Sequence, residues 1–174
     1  MGKRMNQFFI ETFPTPTGTM LLLTDEEQTV RSLDWEDYAP RMHQLLRLHY
    51  GPIQMEPKAA PSPVRRAIEA YYEGDLTAVD ALPTKTEGTP FQREVWAALR
   101  TIPTGKTTTY GSLAVKLGRP KAMRAVGMAN GSNPISIIVP CHRVIGADAT
   151  LTGYGGGIER KRWLLRHEGM PFIV

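Results

Sequence analysis

A chain of 174 residues with a single cysteine, Cys141, cannot be stapled internally by disulfides. It must hold itself together with a hydrophobic core, and one unpaired thiol fits a reducing cytoplasm. The length allows one or two domains, each large enough for a real core. No apolar stretch approaches the roughly 20 residues of a membrane span, and no signal-peptide core follows the basic residues near Met1. No cysteine or histidine cluster has metal-ligand spacing, so neither a metal nor another cofactor is expected.

A lone cysteine is usually a small buried filler, and only a thiolate attacks electrophiles. The surroundings of Cys141 make it a candidate for more. Ile135-Ser136-Ile137-Ile138-Val139 is apolar and β-branched, and reads as buried extended chain. Pro140 ends it, having no N–H to give a ladder. The thiol then sits where buried backbone becomes loop, with His142 and Arg143 as its next neighbours. Both cationic groups would favour a sulfur anion. In extended chain neighbouring side chains point to opposite sides, so Cys141 and His142 are not expected to touch directly.

Charge divides the chain unevenly. Residues 1–88 hold 9 Lys and Arg against 13 Asp and Glu, and residues 89–174 hold 12 against 4, so the net +4 splits into −4 and +8. Such asymmetry points the C-terminal half at a polyanion, with a phosphate backbone the leading candidate. Asp80 to Gly88 is a polar connector, which places a domain boundary at 88/89.

The N-terminal half reads as an α+β unit. Phe8–Phe13, Thr19–Thr24 and Thr29–Trp35 are strand-like, separated by Pro14–Gly18 and Asp25–Gln28. Tyr38, Met42, Leu45, Leu46 and His49 share a helical face. Gly51 to Pro63 carries Pro52, Pro57, Pro61 and Pro63 and reads as broken chain. Ser62-Pro63 then caps a helix with Val64, Ala67, Ile68 and Tyr71 buried, stopped by Gly74. No chemistry is visible here, and the half reads as a support for the other.

In the second half Thr89-Pro90 repeats the cap-then-proline signal before Phe91, Val95, Trp96 and Leu99. Tyr110 to Leu117 reads as a short helix, Gly118-Arg119-Pro120 as a turn, and Pro120 to about Asn130 as a second helix. Ala122, Ala125, Gly127 and Ala129 leave that second helix with a small-residue surface, suited to tight packing or to close approach of DNA. The pair reads as a helix-turn-helix.

The ordered motifs go further. Asn133-Pro134, Pro140-Cys141-His142-Arg143-Val144, Ile145-Gly146, Gly153-Tyr154-Gly155-Gly156-Gly157 and Trp163-Leu164-Leu165-Arg166-His167-Glu168-Gly169 occur at fitting spacings. This set resembles the O6-alkylguanine-DNA alkyltransferases, also called methylated-DNA–protein-cysteine methyltransferases, in their bacterial form. The likeness is close from Thr89 to Gly169 and looser before it. It implies an α+β chain. An N-terminal small β-sheet with helices, ribonuclease H-like, would precede a mostly helical winged helix-turn-helix domain carrying the reactive cysteine.

The function implied by the resemblance is repair of DNA by direct reversal. The alkyl group of an O6-alkylguanine, with O4-alkylthymine as a second candidate, would pass irreversibly to Cys141, once per molecule. Glu168 would polarise His142, His142 would draw the thiol proton through a water, and Asn133 would brace the local turn. A monomer would bind double-stranded DNA through the minor groove. Arg124, in Arg124-Ala125-Val126-Gly127, would fill the stack left by the flipped base. Tyr110 would crowd the phosphate and reach guanine N3, while Gly111 and Arg119 would contact the backbone. Val144 and Cys141 carbonyls would accept from the guanine amino group, Tyr154 would wall the alkyl group, and Gly155 would approach O6. Two departures stand out: Gly155 lacks the serine hydroxyl of some relatives, and Ala147-Asp148-Ala149-Thr150 replaces a glycine-containing turn.

Rival readings are a cysteine hydrolase, a non-enzymatic helix-turn-helix DNA-binding protein, and a lesion sensor of this family without the reactive thiol. A hydrolase normally draws its histidine from far along the sequence, and the two others have no need of Cys141.

Overall fold

The structure, a computed structural model, describes residues 5–147 and 154–170. Backbone proximity divides the chain into two units, Met1–Glu87 and Gly88–Val174.

In the first unit β1 (Asn6–Phe13), β2 (Met20–Thr24) and β3 (Val30–Trp35) form an antiparallel meander. The three strand-like runs of the sequence are these strands to within two residues at either end. The Pro14–Gly18 turn closes on reciprocal bonds between Thr15 and Gly18, at 3.0 and 3.1 Å. Helix α1 (Ala39–Tyr50) lays Met42 and Leu46 against Phe8, Leu21 and Leu23 on one face of the sheet. All of β2 is buried, so the opposite face is covered too. There Tyr72, at the end of α2 (Pro63–Tyr72), places its hydroxyl 3.4 Å from the sulfur of Met20.

The expectation of broken chain between Gly51 and Pro63 fails for its first part. Ile53–Pro57 is a fourth strand, β4, parallel to β1, in a sheet of order β3-β2-β1-β4. Its prolines misled because an edge strand needs only one row of N–H groups, and Pro57 ends the strand. Ser62 caps α2 as expected, accepting from the Arg65 N–H at 3.1 Å. Ser62 is in turn held by buried Glu11, whose carboxylate accepts from its N–H and hydroxyl at 2.8 and 2.6 Å.

The second unit begins with α3 (Pro90–Leu99), closed by a full capping box between Thr89 and Gln92. Trp96 is core, and its indole N–H reaches the Ala129 carbonyl at 2.8 Å. That bond ties α3 to the helix-turn-helix of α4 (Tyr110–Lys116) and α5 (Met123–Gly131). Helix α5 starts three residues later than the proline suggested. The Ala122 N–H bonds the Arg119 carbonyl at 2.9 Å, so Pro120 occupies a tight turn and not the first helical turn. A two-stranded parallel ribbon follows, β5 (Thr108–Thr109) with β6 (Val144–Ile145). Helix α6 (Ile158–His167) ends the described chain's regular structure.

Ile135–Val139 is buried, as its composition demands, but it is not extended. Ile138 N–H bonds the Ser136 carbonyl at 2.8 Å and Cys141 N–H bonds the Val139 carbonyl at 2.8 Å. These are successive three-residue turns, the first with Ile137 at φ 71°. A β-branched residue there is strained, at a cost of order 1–3 kcal/mol. The strain sits four residues before the cysteine.

Candidate active site

Cys141 opens a single 3-10 turn, Cys141–Arg143, and is 5% exposed. The extended geometry expected of it is replaced by three residues per turn, which sends Cys141, His142 and Arg143 in three different directions. Each direction has its own set of partners.

The sulfur faces Asn133. The Asn133 amide N–H group donates to Cys141 Sγ at 3.1 Å, and also to the carbonyls of Val139 at 2.8 Å and Ile135 at 3.2 Å. Its Oδ1 accepts from the Ile135 N–H at 3.0 Å. One buried side chain thus holds both ends of the strained turn and aims a donor at the sulfur, which favours the thiolate.

His142 points to Glu168, with Nε2 and Oε2 2.7 Å apart and neither side chain exposed. Burial lowers the imidazole's pKa, outweighing the pull of Glu168, so His142 is neutral at physiological pH. Burial would raise the Glu168 carboxyl, but His142 and Arg143 together hold it well below the usual carboxylate range. A carboxylate only accepts, so the imidazole proton lies on Nε2 and the lone pair on Nδ1. That Nδ1 is buried and has no hydrogen-bond partner among the described residues. It is a base with its orientation set and its proton position open.

Arg143 does not serve the sulfur, as its adjacency suggested. Its Nε donates to Glu168 Oε1 at 2.8 Å, and its other nitrogens to the Ile102 carbonyl at 2.6 Å and Thr104 Oγ1 at 3.2 Å. It is the counter-ion of Glu168 and the tie to the loop after α3.

Two residues escaped the sequence reading. Lys161 on α6 is 0% exposed, and its ammonium donates to the Val144 carbonyl at 2.7 Å. Asn130 on α5 donates to the Cys141 carbonyl at 3.3 Å. A signal existed for both: Lys161, Leu164, Leu165 and Glu168 are all buried at helical spacing, as are Val126, Ala129, Asn130 and Asn133. The polar members of each stripe look solvated until the stripe is drawn as a face.

The structure hydrogen-bonds Cys141 to Asn133 and His142 to Glu168, two pairs joined only through consecutive residues of the 3-10 turn. Tyr110, Gly111, Arg119 and Arg124 lie apart from these bonds, on the helix-turn-helix. Tyr110 opens α4 behind its cap Thr109, whose hydroxyl oxygen accepts from the Ser112 N–H at 3.0 Å. A Cβ added at Gly127 would meet the Tyr110 ring at 3.8 Å, and one at Gly111 would meet the Met123 sulfur at 3.7 Å. Arg124 is exposed near the start of α5. Arg119 bonds Glu94 at 3.1 Å and lies over the Phe91 ring at 5.0 Å. Tyr154 and Gly155 are half-buried in the turn entering α6, where the Tyr154 carbonyl accepts from the Gly157 N–H at 2.9 Å. Gly153 and Asp148–Thr150 of the divergent loop lie outside the described residues. Among the described residues no group of His, Cys, Asp and Glu is placed to hold a metal, and no helix is long and apolar enough to cross a membrane.

Comparison with known proteins gives this geometry a family. Residues 90–170 match the family described as 6-O-methylguanine DNA methyltransferase, DNA binding domain. The methylated-DNA–protein-cysteine methyltransferase of Shigella flexneri is 55% identical over 161 residues, 91% of this chain and 94% of that one. The crystal structure of Mycobacterium tuberculosis OGT in complex with DNA superposes with a TM-score of 0.78 at 41% identity, covering 93% of this chain and 92% of that one. The O6-methylguanine-DNA methyltransferase of Pyrococcus kodakaraensis strain KOD1 does so at 0.69 and 27%, covering 94% and 99%. With a buried His–Glu pair next in sequence to the one cysteine and relatives this similar along nearly the whole chain, the protein belongs to the methylated-DNA–protein-cysteine methyltransferase family of DNA-repair alkyltransferases.

Proposed function

We propose that this chain repairs O6-alkylguanine in duplex DNA by moving the alkyl group to Cys141 Sγ, once per molecule. The observation that carries the reading is the His142–Glu168 pair, buried beside the cysteine with the Nδ1 lone pair of His142 left open. His142 takes the thiol proton through Nδ1, by way of a bridging water, and Glu168 stabilises the imidazolium that results. Asn133 stabilises the sulfur anion. The thiolate attacks the alkyl carbon, a C–S bond forms as the C–O6 bond breaks, and the guanine takes up the proton that the thiol gave. The product is a thioether, without a carbonyl for water to attack, so the transfer is irreversible.

The base must leave the stack to meet a buried sulfur. We assign that task to the helix-turn-helix of the basic second unit, lying in the minor groove, with Tyr110 turning the nucleotide out and exposed Arg124 filling the gap. Gly111 and Arg119 serve the backbone, Arg119 by exchanging Glu94 for phosphate. Val144, Tyr154 and Gly155 line the base pocket. The first unit supports the second, and the protein acts as a monomer in the cytoplasm, where its one thiol stays reduced. The DNA complex of the Mycobacterium tuberculosis relative and the matched DNA-binding family support the partner. A lesion sensor would have no use for a buried histidine–carboxylate pair beside a thiol.

Intact mass after incubation with a duplex holding one O6-methylguanine tests the reading. The expected result is one methyl in place of one hydrogen, mapped to Cys141. Tight binding with unchanged mass would make the protein a sensor.

A further inference from the structure

The outward face of α5 is small except at one place. Val126, Ala129 and Asn130 turn inward and are buried, which leaves Arg124, Met128 and Gly131 on the opposite side at helical spacing. A Cβ added at Gly131 would meet nothing within 4 Å, so that end of the strip is bare. Met128 is 71% exposed, the most exposed methionine among the described residues. Its backbone is held, because its carbonyl accepts from the Ser132 N–H at 3.1 Å and from the Ser132 hydroxyl at 3.0 Å. A large apolar side chain thus stands clear of the fold, one turn along from Arg124 and on the same face. The chain around it is cationic. From Val95 to Ala147 there is no Asp or Glu, and Lys116, Lys121 and Arg124 are exposed on or beside the two helices. An apolar tip in a field of that sign suits the minor groove of DNA, where phosphates attract the cations and apolar side chains are seated within. It suits a second copy of this chain badly, since two such faces repel.

We infer that Met128 reads the floor of the minor groove under α5 and favours base pairs that show no amino group there. This rests on the minor-groove docking proposed above and adds a sequence preference to it. In that groove A·T and T·A present acceptors alone, and G·C adds the guanine N2 amino donor. Methionine offers that donor only a weak thioether acceptor and otherwise covers it with carbon. Covering a guanine amino group strands its outer N–H away from water, which costs affinity. Over A·T the thioether lies on a floor without donors. Of the strip's three residues, Gly131 has no side chain and Arg124 is assigned to the emptied stack, so the reading falls to Met128.

Inosine isolates the amino group, because it is guanine without it and leaves the major groove unchanged. The probe is an undamaged mixed-sequence duplex and its twin with every guanine replaced by inosine. The protein is expected to bind the inosine twin about tenfold more tightly, the order of one stranded N–H. In Met128→Ala the two affinities should come within about twofold of each other, since no side chain then covers the amino groups. In Met128→Gln, of similar length but with an amide oxygen that accepts from the amino group, the preference should turn towards guanine. Both substitutions fall at an exposed position, and thermal unfolding verifies that each variant folds. Neither removes a charge, so the salt slope of binding should stay at the parental value while the preference moves. Inosine also softens the duplex for any protein that bends it. A preference that persists undiminished in both variants is that softness and overturns the inference, as does a parent that binds the twins equally. A dimer of the parent in solution that Met128→Ala dissolves would give the face to a second copy, and overturns it too. Failure to repair an O6-methylguanine placed in either duplex, with the inosine preference intact, would strike the proposed chemistry alone.

Discussion

Glu168 accepts from a neutral imidazole and a guanidinium at once, and that makes its substitution informative. Glu168→Gln leaves one acceptor oxygen where there were two and removes the charge that neutralises Arg143, whose guanidinium is buried among fixed acceptors. Leaving a buried charge uncompensated costs about 3–5 kcal/mol. Urea unfolding should show a loss of that order. Arg143→Met combined with Glu168→Gln should cost less than the sum of the two single changes, because neither charge is then stranded. The pH dependence follows from the directions of the shifts. Glu168 is depressed from 4.5, so its stabilisation is present above that value and lost as pH falls through it. His142 is depressed from 6.5, so below 6.5 the unfolded chain binds a proton that the folded chain refuses. Both make the parent progressively less stable on acidification from about pH 6.5. Lys161 acts at the other end: depressed from 10.5 to about 8, it makes stability rise between those values. Urea unfolding across pH 4 to 10 should show both slopes, and a Lys161→Met variant should lose the alkaline one alone.

On the proposed function, helices α4 and α5 allow flipping to be separated from chemistry. Arg124 is exposed on α5, and Asn130, near the other end of the same helix, holds the Cys141 carbonyl. Arg124→Ala should slow repair of a duplex lesion by one to several orders of magnitude, since unstacking costs a few kcal/mol that the guanidinium no longer offsets. Reaction of free O6-benzylguanine needs no flipping and should be nearly unchanged. Equal loss on both substrates, measured at saturating DNA, would show that Arg124 shapes the pocket instead. Gly127 offers a finer probe of the same element. A methyl there meets the Tyr110 ring at ordinary contact distance, so Gly127→Ala should fold normally and gain up to about 1 kcal/mol of helix stability. Gly127→Leu must displace that ring, and should lose duplex repair while its reaction with the free base persists.

Across the whole molecule, charge and stoichiometry are the measurable properties. The basic half, +8 against −4 for the other, predicts DNA affinity that falls steeply and linearly on a log–log plot against salt. Its slope should lessen by about one for each phosphate-contacting cation removed. Cys141 is the only thiol, so repaired guanine should plateau at one per chain however much lesion is supplied. Product accumulating far beyond the protein concentration would refute a thioether end state.

Local rules sufficed for much of this protein. Ser62-Pro63 and Thr89-Pro90 declare helix starts because a hydroxyl cap and a fixed φ act within a few residues. The three strands of the meander and the α4–turn–α5 pair are equally local, whereas Asn133, Cys141, His142 and Glu168 were grouped only by the family resemblance that their motifs carry. What only the tertiary structure decided were matters of pairing. Strand β4 exists because β1 offers it an edge, against the preference of its prolines. Ile137 keeps a positive φ inside a turn whose two ends, at Ile135 and Val139, are both bonded by Asn133. Most of all, Arg143, two residues from the cysteine in sequence, gives its charge to Glu168, while Lys161, twenty residues away on α6, is buried against the Val144 carbonyl. Electrostatic energy depends on distance and burial in space, and a turn of three residues per revolution is enough to send a neighbour's charge elsewhere.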